Sequence, residues 1–215
     1  MKIYDISVTT SPQTVTWDNE EKPLSLEWMA TTEQGDVCNG SILSGCSHMG
    51  THLDAPLHFI HGGATVESLD LTALIGPAQV VEIFDRDQIT AEDFESAGLA
   101  ASVTRVLLKT NNTRRKLLRD PKFHPEYVGV APSGAQWLVD HSISLVGLDY
   151  LSAGPYGALN VETHRILLGA GLVIVESLQL EDVAAGQYTL LALPPKLHGA
   201  EGSPCRAVLI EGNIE

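Results

Sequence analysis

Three histidines and one carboxylate lie within eleven residues of the chain, at positions His48, His52, Asp54 and His58. The last three are separated by even numbers of residues, and alternate side chains of an extended segment point to the same face. An extended chain would therefore gather them, and Gly50 permits the bend that returns His48 to the same side. Imidazole nitrogens and a carboxylate oxygen gathered in this way bind divalent transition metals such as zinc or manganese. The alternative is a histidine-rich surface loop that binds nothing.

A second carboxylate, Glu176, interrupts the apolar segment 172–178, which predicts a buried strand. Burying an unpaired carboxylate is costly, so Glu176 needs a cation, and a metal ion is the strongest one available. His164 lies in a helix predicted for residues 161–169, with Asn160 as its N-cap. Helix, glycine turn and strand form a tight unit in which His164 and Glu176 can converge. Alternatively, Glu176 faces solvent and His164 lies on the outer face of its helix.

Length and charge exclude several classes of protein. The chain has 215 residues, 44% of them hydrophobic, so it can build a sizeable core, and we predict one domain over 1–215. Its net charge of −14 repels phosphate backbones, which argues against a nucleic-acid partner. The same charge is compatible with metal cations and with a small neutral or zwitterionic substrate.

Cysteine content and hydropathy indicate the compartment. Three cysteines are an odd number without a close pairing pattern, which argues against a disulfide scaffold and for a reducing environment. No apolar run approaches the ~20 residues that span a bilayer, and residues 1–5 lack the apolar region of a signal peptide. We therefore expect a cytoplasmic protein without membrane contact.

The order of predicted elements indicates an α/β fold with mixed sheets. Apolar and alternating segments predict strands, and capped segments predict helices. The predicted strands are 2–8, 24–32, 41–43, 78–84, 103–109, 144–149, 172–178, 188–193 and 205–210, and the predicted helices are 90–97, 133–141 and 161–169. Thr90 and Asp93 form a capping-box pattern, and Ser133 is the expected N-cap of the second helix. Asp149 ends a strand, where α/β folds often place active-site residues.

Two further features allow alternative interpretations. Trp17 lies in the polar loop 11–23, where a tryptophan covers a pocket, packs in a subunit interface or folds back on its own domain. Segment 111–130 holds five of the thirteen cations, and it either attracts an anionic substrate group or forms a solvated loop. The five are Arg114, Arg115, Lys116, Arg119 and Lys122.

The pattern His48-x-Gly50-Thr51-His52-x-Asp54-x-Pro56-x-His58 resembles the signature of the metal-dependent cyclase/hydrolase family. That family includes bacterial kynurenine formamidases, isatin hydrolases and polyketide cyclases. The resemblance extends along nearly the whole chain, and the compact length is closest to the kynurenine formamidase branch. It covers an opening strand at 4–7, a late strand and turn at 147–152, the pair His164 and Glu176, and a closing strand at 204–209.

The resemblance implies a fold and a site. The fold is the swivelling β/β/α type, in a protein that forms a homodimer or higher homo-oligomer. One or two ions, zinc or manganese, are held by His48, His52, Asp54, His164 and Glu176. Asp54 would bridge the two ions, His58 would be the catalytic acid/base, and Trp17 would contact the ring of the substrate.

Three functions follow as alternatives. The first is hydrolysis of an amide, formamide or lactam C–N bond in a small aromatic substrate such as N-formylkynurenine, by metal-activated water. The second is a cyclase or dehydratase, a lyase that acts on a polyketide-like substrate with the same metal. The third is a metal-binding interaction protein without turnover.

Overall fold

The computed structural model describes residues 1–19 and 24–212. Its strands are β1 (Lys2–Asp5), β2 (Ser25–Ala30), β3 (Gly40–Ser44), β4 (His52–Asp54), β5 (Ile75–Glu82), β6 (Gln88–Ile89), β7 (Arg105–Lys109), β8 (Gly129–Val130), β9 (Leu145–Leu148), β10 (Val173–Glu176), β11 (Gly186–Leu193), β12 (Gly202–Pro204) and β13 (Arg206–Glu211). Its α-helices are α1 (Leu71–Leu74), α2 (Ala91–Ser96), α3 (Asn111–Arg114), α4 (Pro132–Asp140) and α5 (Ala158–Gly169).

The described residues build one large mixed sheet. Its nine strands run in the order β1-β13-β11-β5-β7-β9-β10-β4-β12. The four central strands β5, β7, β9 and β10 pair in parallel, whereas both flanks pair antiparallel. Because the first and last strands of the chain pair with each other, the sheet unites both ends in a single α/β domain. The predicted class, α/β with a mixed sheet, is confirmed.

Each face of the sheet carries its own apolar cluster. Side chains of β7 alternate, so Val106 and Leu108 lie in the cluster that includes Phe94 of α2 and Leu167 of α5. Leu107 points the other way, into a cluster shared with the curled strands β11 and β13. Helices α2, α4 and α5 therefore cover one face, and α1 and the curled strands close over the other. A side chain's parity along a strand decides which cluster it joins.

The ends of two helices differ from expectation. Helix α2 has the predicted capping box between Thr90 and Asp93. Helix α4 instead begins at Pro132, with Ala131 as its N-cap, so the prediction of Ser133 as cap was wrong. Proline suits the first helical position because it has no N–H to satisfy there. Helix α5 begins at Ala158, which leaves Asn160 inside the helix rather than at its cap.

Asp149 organises the turn that follows β7. Its carboxylate accepts hydrogen bonds from N–H groups of Thr110 (2.6 Å) and Thr113 (3.1 Å) and from both threonine hydroxyls. The side-chain amide of Asn112 donates a fifth. These bonds start α3 in a segment that the sequence predicted as loop. Burial raises the pKa of Asp149, although the hydrogen bonds oppose that shift. The carboxylate is therefore a structural group that holds the turn after β7.

The strands β2 and β3 form a separate two-stranded sheet. Its large apolar side chains are between 49% and 66% exposed, and they are Leu26, Trp28, Met29, Ile42 and Leu43. Two strands alone are marginally stable in water, and apolar patches of this kind are typical of interaction surfaces. The surface is compatible with the expected homodimer, which stays a prediction.

The cysteines and the helices of the described residues can be compared with the sequence analysis. No disulfide joins the three cysteines, all of which lie among the described residues. Within residues 1–19 and 24–212 we find no helix with the length and apolar character needed to traverse a bilayer. The cytoplasmic location stays a prediction.

We predict that Asp149→Asn lowers the free energy of unfolding by about 2–4 kcal/mol, because an amide nitrogen would face buried donors. Urea denaturation measures the difference. The control is Asp182→Asn on the exposed surface, which should stay within about 0.5 kcal/mol of wild type. Equal stability of the two variants would contradict the role of Asp149.

Candidate metal centre

Three acidic and basic side chains share one face of two neighbouring strands. His52 of β4 lies directly opposite Glu176 of β10 in the antiparallel ladder, and Asp54 follows two residues later. Since Leu53 and Val175 point into the cluster on the curled side, these three point to the helix-bearing side. All three are at most 3% exposed. The even spacing of His52 and Asp54 therefore has the predicted consequence.

Helix α5 crosses this face and adds His164. Its Nε2 lies 3.4 Å from Oε1 of Glu176 and 3.7 Å from Oδ2 of Asp54. The Nε2 of His52 lies 3.3 Å from Oε2 of Glu176 and 3.7 Å from Oδ1 of Asp54. Donors of a tetrahedral zinc site lie about 2.1 Å from the ion and hence roughly 3.4 Å from each other. The spacing of these four groups fits a metal.

Main-chain carbonyls orient the imidazole rings of His52 and His164. Nδ1 of His52 lies 2.8 Å from the carbonyl oxygen of Gly50, and Nδ1 of His164 lies 2.7 Å from that of Asn160. A carbonyl only accepts, so each Nδ1 donates its proton to the carbonyl, and Nε2 is the nitrogen that faces the carboxylates and is available to a metal. Among the described residues, Nε2 of His52 and Oδ2 of Asp54 are buried without a hydrogen-bond partner. A divalent cation would satisfy both.

His48 reaches the cluster through the bend at Gly50, whose φ of 61° favours glycine. Its Nδ1 lies 2.9 Å from Oδ1 of Asp54. Burial lowers the pKa of His48, but the hydrogen bond and the negative charge of Asp54 outweigh it and raise the pKa to about 9. The metal-free site therefore holds a proton on His48 that a metal must displace.

His58 arrives by a route that the sequence did not predict. The strand ends at Asp54, and Pro56–His58 forms a single 3₁₀ turn, so the expectation of an extended segment over 52–58 was wrong. Proline at the start of the turn favours this helical geometry. The turn places the His58 ring against that of His48, with the ring centroids 4.1 Å apart and the planes tilted by 32°. Burial and the charge of His48 lower the pKa of His58, although Asp54 raises it.

Asp54 belongs to two groups of donor atoms. His52, Asp54 and Glu176 form one group, and His48, Asp54 and His58 form the other, with donor atoms within 4.8 Å of one another in each. Sharing one carboxylate between two groups is what a bridged pair of ions requires. The second group also places His58 close enough to be a ligand or a proton carrier.

An aromatic cavity of about 410 Å³ opens onto the cluster. Trp17 lines it and also packs on Phe123 and Tyr156, with centroids 5.1 and 5.7 Å away. The tryptophan folds back on its own domain and also lines the cavity, whereas its place in a subunit interface stays a prediction. The other lining residues are His48, His58, Phe59, Leu151, Ser152, Tyr156, Gly157, Asn160, Val161, His164 and Glu176.

Sequence reasoning missed two aromatic walls of this cavity. Phe59 stacks on His164 with centroids 4.5 Å apart, and the Tyr156 hydroxyl donates to Asp18 at 3.2 Å. The second contact joins the Trp17 turn to the loop before α5. Each residue had a signal, because Phe59 follows His58 directly and Tyr156 stands in a Gly-Pro-Tyr-Gly turn at 154–157.

The basic segment 111–130 and the exposed His61 lie outside the cavity. The basic segment pairs with acidic residues at the surface, for example Arg119 with Glu181 at 2.7 Å and Arg115 with Glu126 at 2.5 Å. The side chains of Arg115 and Arg119 are therefore directed away from the histidines and carboxylates around Asp54. His61 is exposed beyond the 3₁₀ turn and does not line the cavity.

Comparison with known proteins identifies the family of this chain. The family model Cyclase, described as putative cyclase, matches residues 4–155. Cyclase-like protein 2 of Arabidopsis thaliana is 41% identical over 217 residues, which cover 98% of this chain and 79% of that protein. Kynurenine formamidase of Salinibacter ruber is 33% identical over 212 residues, which cover 97% of each. A solved structure described as a potential metal-dependent hydrolase with cyclase activity aligns over 99% of both chains with a TM-score of 0.83 and 31% identity. The chain therefore belongs to the cyclase family of metal-dependent hydrolases.

Proposed function

We propose that this chain hydrolyses an amide, formamide or lactam C–N bond in a small aromatic substrate, with N-formylkynurenine as the first candidate. The observation that carries the proposal is the aromatic cavity, which opens directly onto the buried carboxylate of Glu176 and onto three histidines, one of which contacts the buried Asp54. Its volume suits a ligand with one or two rings. The identity of 33% to a protein named kynurenine formamidase supports the same substrate class.

The proposed ligands are His48, His52, Asp54, His164 and Glu176, with room for one or two ions. When bound there, zinc or manganese polarises a carbonyl group and lowers the pKa of coordinated water to about 7. Hydrogen bonds from Nδ1 of His52 and of His164 to main-chain carbonyls hold both rings in the orientation that metal ligation needs.

His58 is proposed as the proton carrier. Its lowered pKa keeps the imidazole neutral at physiological pH, and a nearby cation would lower the pKa further. A neutral imidazole nitrogen can take a proton from the attacking water and return it to the leaving amide nitrogen. The ring lines the cavity, with its centroid 6.2 Å from that of His164, so it borders the space where that nitrogen would lie.

The aromatic walls are proposed to orient the substrate. Trp17, Phe59 and Tyr156 present ring faces and edges to the cavity, and such surfaces stack on aromatic ligands. The hydrogen bond between Tyr156 and Asp18 keeps the Trp17 turn against the loop before α5.

The names of the plant relatives favour a second candidate, a cyclase or dehydratase acting on a polyketide-like substrate. Such a lyase would use the same cation to stabilise an enolate. A substrate panel separates the two proposals. Metal-loaded protein should release formate from N-formylkynurenine or open a lactam such as isatin; dehydration of a polyketide with no amide turned over would support the lyase instead.

The first prediction for the site concerns metal content. Protein purified without chelator should hold one or two equivalents of a divalent ion by elemental analysis. His52→Ala and Asp54→Ala should each abolish stoichiometric binding, because each removes a buried donor. His61→Ala, on the exposed surface, is the control and should keep the metal. Full retention in both ligand variants would refute the assignment.

The second prediction concerns His58. His58→Ala and His58→Gln should keep the metal and the fold but lose about 10²–10⁴-fold in kcat, the usual contribution of general acid–base catalysis. Steady-state kinetics and elemental analysis measure the two effects separately. Loss of an ion from His58→Ala would make His58 a ligand, and near-full activity would place the proton carrier elsewhere.

A further inference from the structure

His48 is oriented differently from the other two histidines of the centre. His52 and His164 turn Nδ1 to main-chain carbonyls and Nε2 to the carboxylates. His48 does the reverse, since its Nδ1 lies 2.9 Å from Oδ1 of Asp54. Its Nε2 is buried on the far side of the ring and forms no hydrogen bond with the described residues. If Nδ1 is the metal donor, Nε2 must carry the proton and needs an acceptor.

Glu201 stands where that acceptor is needed. Its Oε1 lies 3.4 Å from Nε2 of His48, a separation that a small ring rotation would close to a hydrogen bond. The carboxylate is held in place, because Ser47 donates its hydroxyl to the same Oε1 at 2.6 Å. The backbone is held as well, since the carbonyl of Glu201 accepts from the N–H of Ala55 at 2.8 Å.

The strand that follows Glu201 supports the same ring. Gly202 begins β12, which pairs with the ligand-bearing strand β4. A Cβ at Gly202 would lie 2.6 Å from Cε1 of His48. The absence of a side chain therefore leaves room for the imidazole against the backbone. β12 is an edge strand, and it lies between the predicted strands 188–193 and 205–210, where the sequence analysis predicted no strand.

We propose that Glu201 is a positioning residue, which fixes the proton of His48 on Nε2 and so presents Nδ1 to the metal. This inference rests on the metal centre proposed above. A carboxylate behind a ligand histidine fixes the tautomer and makes the ring more basic, and losing such a partner typically weakens metal binding 10–100-fold. Glu201 is not itself placed as a ligand, because the ring of His48 separates it from Asp54.

The test is a competition between zinc and a chromogenic chelator. Glu201→Ala should lower the affinity for one zinc ion about 10–100-fold. Glu201→Gln should lower the affinity for the same ion less, because its amide oxygen can still accept a hydrogen bond. Gly202→Ala should also lower the affinity for that ion, because its methyl group would displace the ring of His48. Glu181→Gln removes a carboxylate that pairs with Arg119, away from the cavity, and should bind zinc as wild type does. Wild-type affinity in Glu201→Ala would overturn the proposal.

A second measurement reports the tautomer directly. In zinc-loaded protein, nitrogen-15 NMR of the imidazoles should show the proton of His48 on Nε2 and that of His52 on Nδ1. Glu201→Ala should lose the His48 signal pattern while its melting temperature without metal stays close to wild type. A proton on Nδ1 of His48 would overturn the proposal. A chain that binds zinc in this way but hydrolyses no amide would contradict only the proposed function.

Discussion

The centre depends on two carboxylates that are buried side by side. Asp54 and Glu176 lie on adjacent strands and are 1% and 3% exposed. Burial raises the pKa of each, and the charge of Asp54 raises that of Glu176 further, yet bonds to surrounding histidines bring both below their ordinary values. Two negative charges in one dry site need positive charge close by. A divalent cation would supply it, and the imidazoles of His48, His52 and His164 lie beside the two carboxylates.

The fold meets the demand by placing chain segments far apart in sequence on one face of the sheet. β4 carries His52 and Asp54, its neighbour β10 carries Glu176, and α5 lies over both with His164. Backbone pairing fixes the strands, and main-chain carbonyls fix the two rings. The proposed ligands are thus held by rigid elements, which lets a site bind metal with little rearrangement.

The sequence could predict what depends on local pattern. Parity along β4 gives the shared face of His52 and Asp54, and the apolar strand around Glu176 gives its burial. Contacts between distant segments could not be derived in this way. The 3₁₀ turn at Pro56 ended the predicted strand, and the pairing of β12 with β4, which brings Glu201 to His48, has no local signal. The aromatic wall around Trp17 likewise depends on segments more than one hundred residues away.

The central claim is that these side chains hold a divalent ion, and anomalous diffraction tests it most directly. Crystals grown with zinc or manganese, measured on both sides of the metal absorption edge, locate the ions without reference to activity. The account predicts a peak in contact with Asp54, with Nε2 of His52 or His164 among the donors. A peak at a different position, or none at this cluster in protein that elemental analysis shows to be loaded, would contradict it.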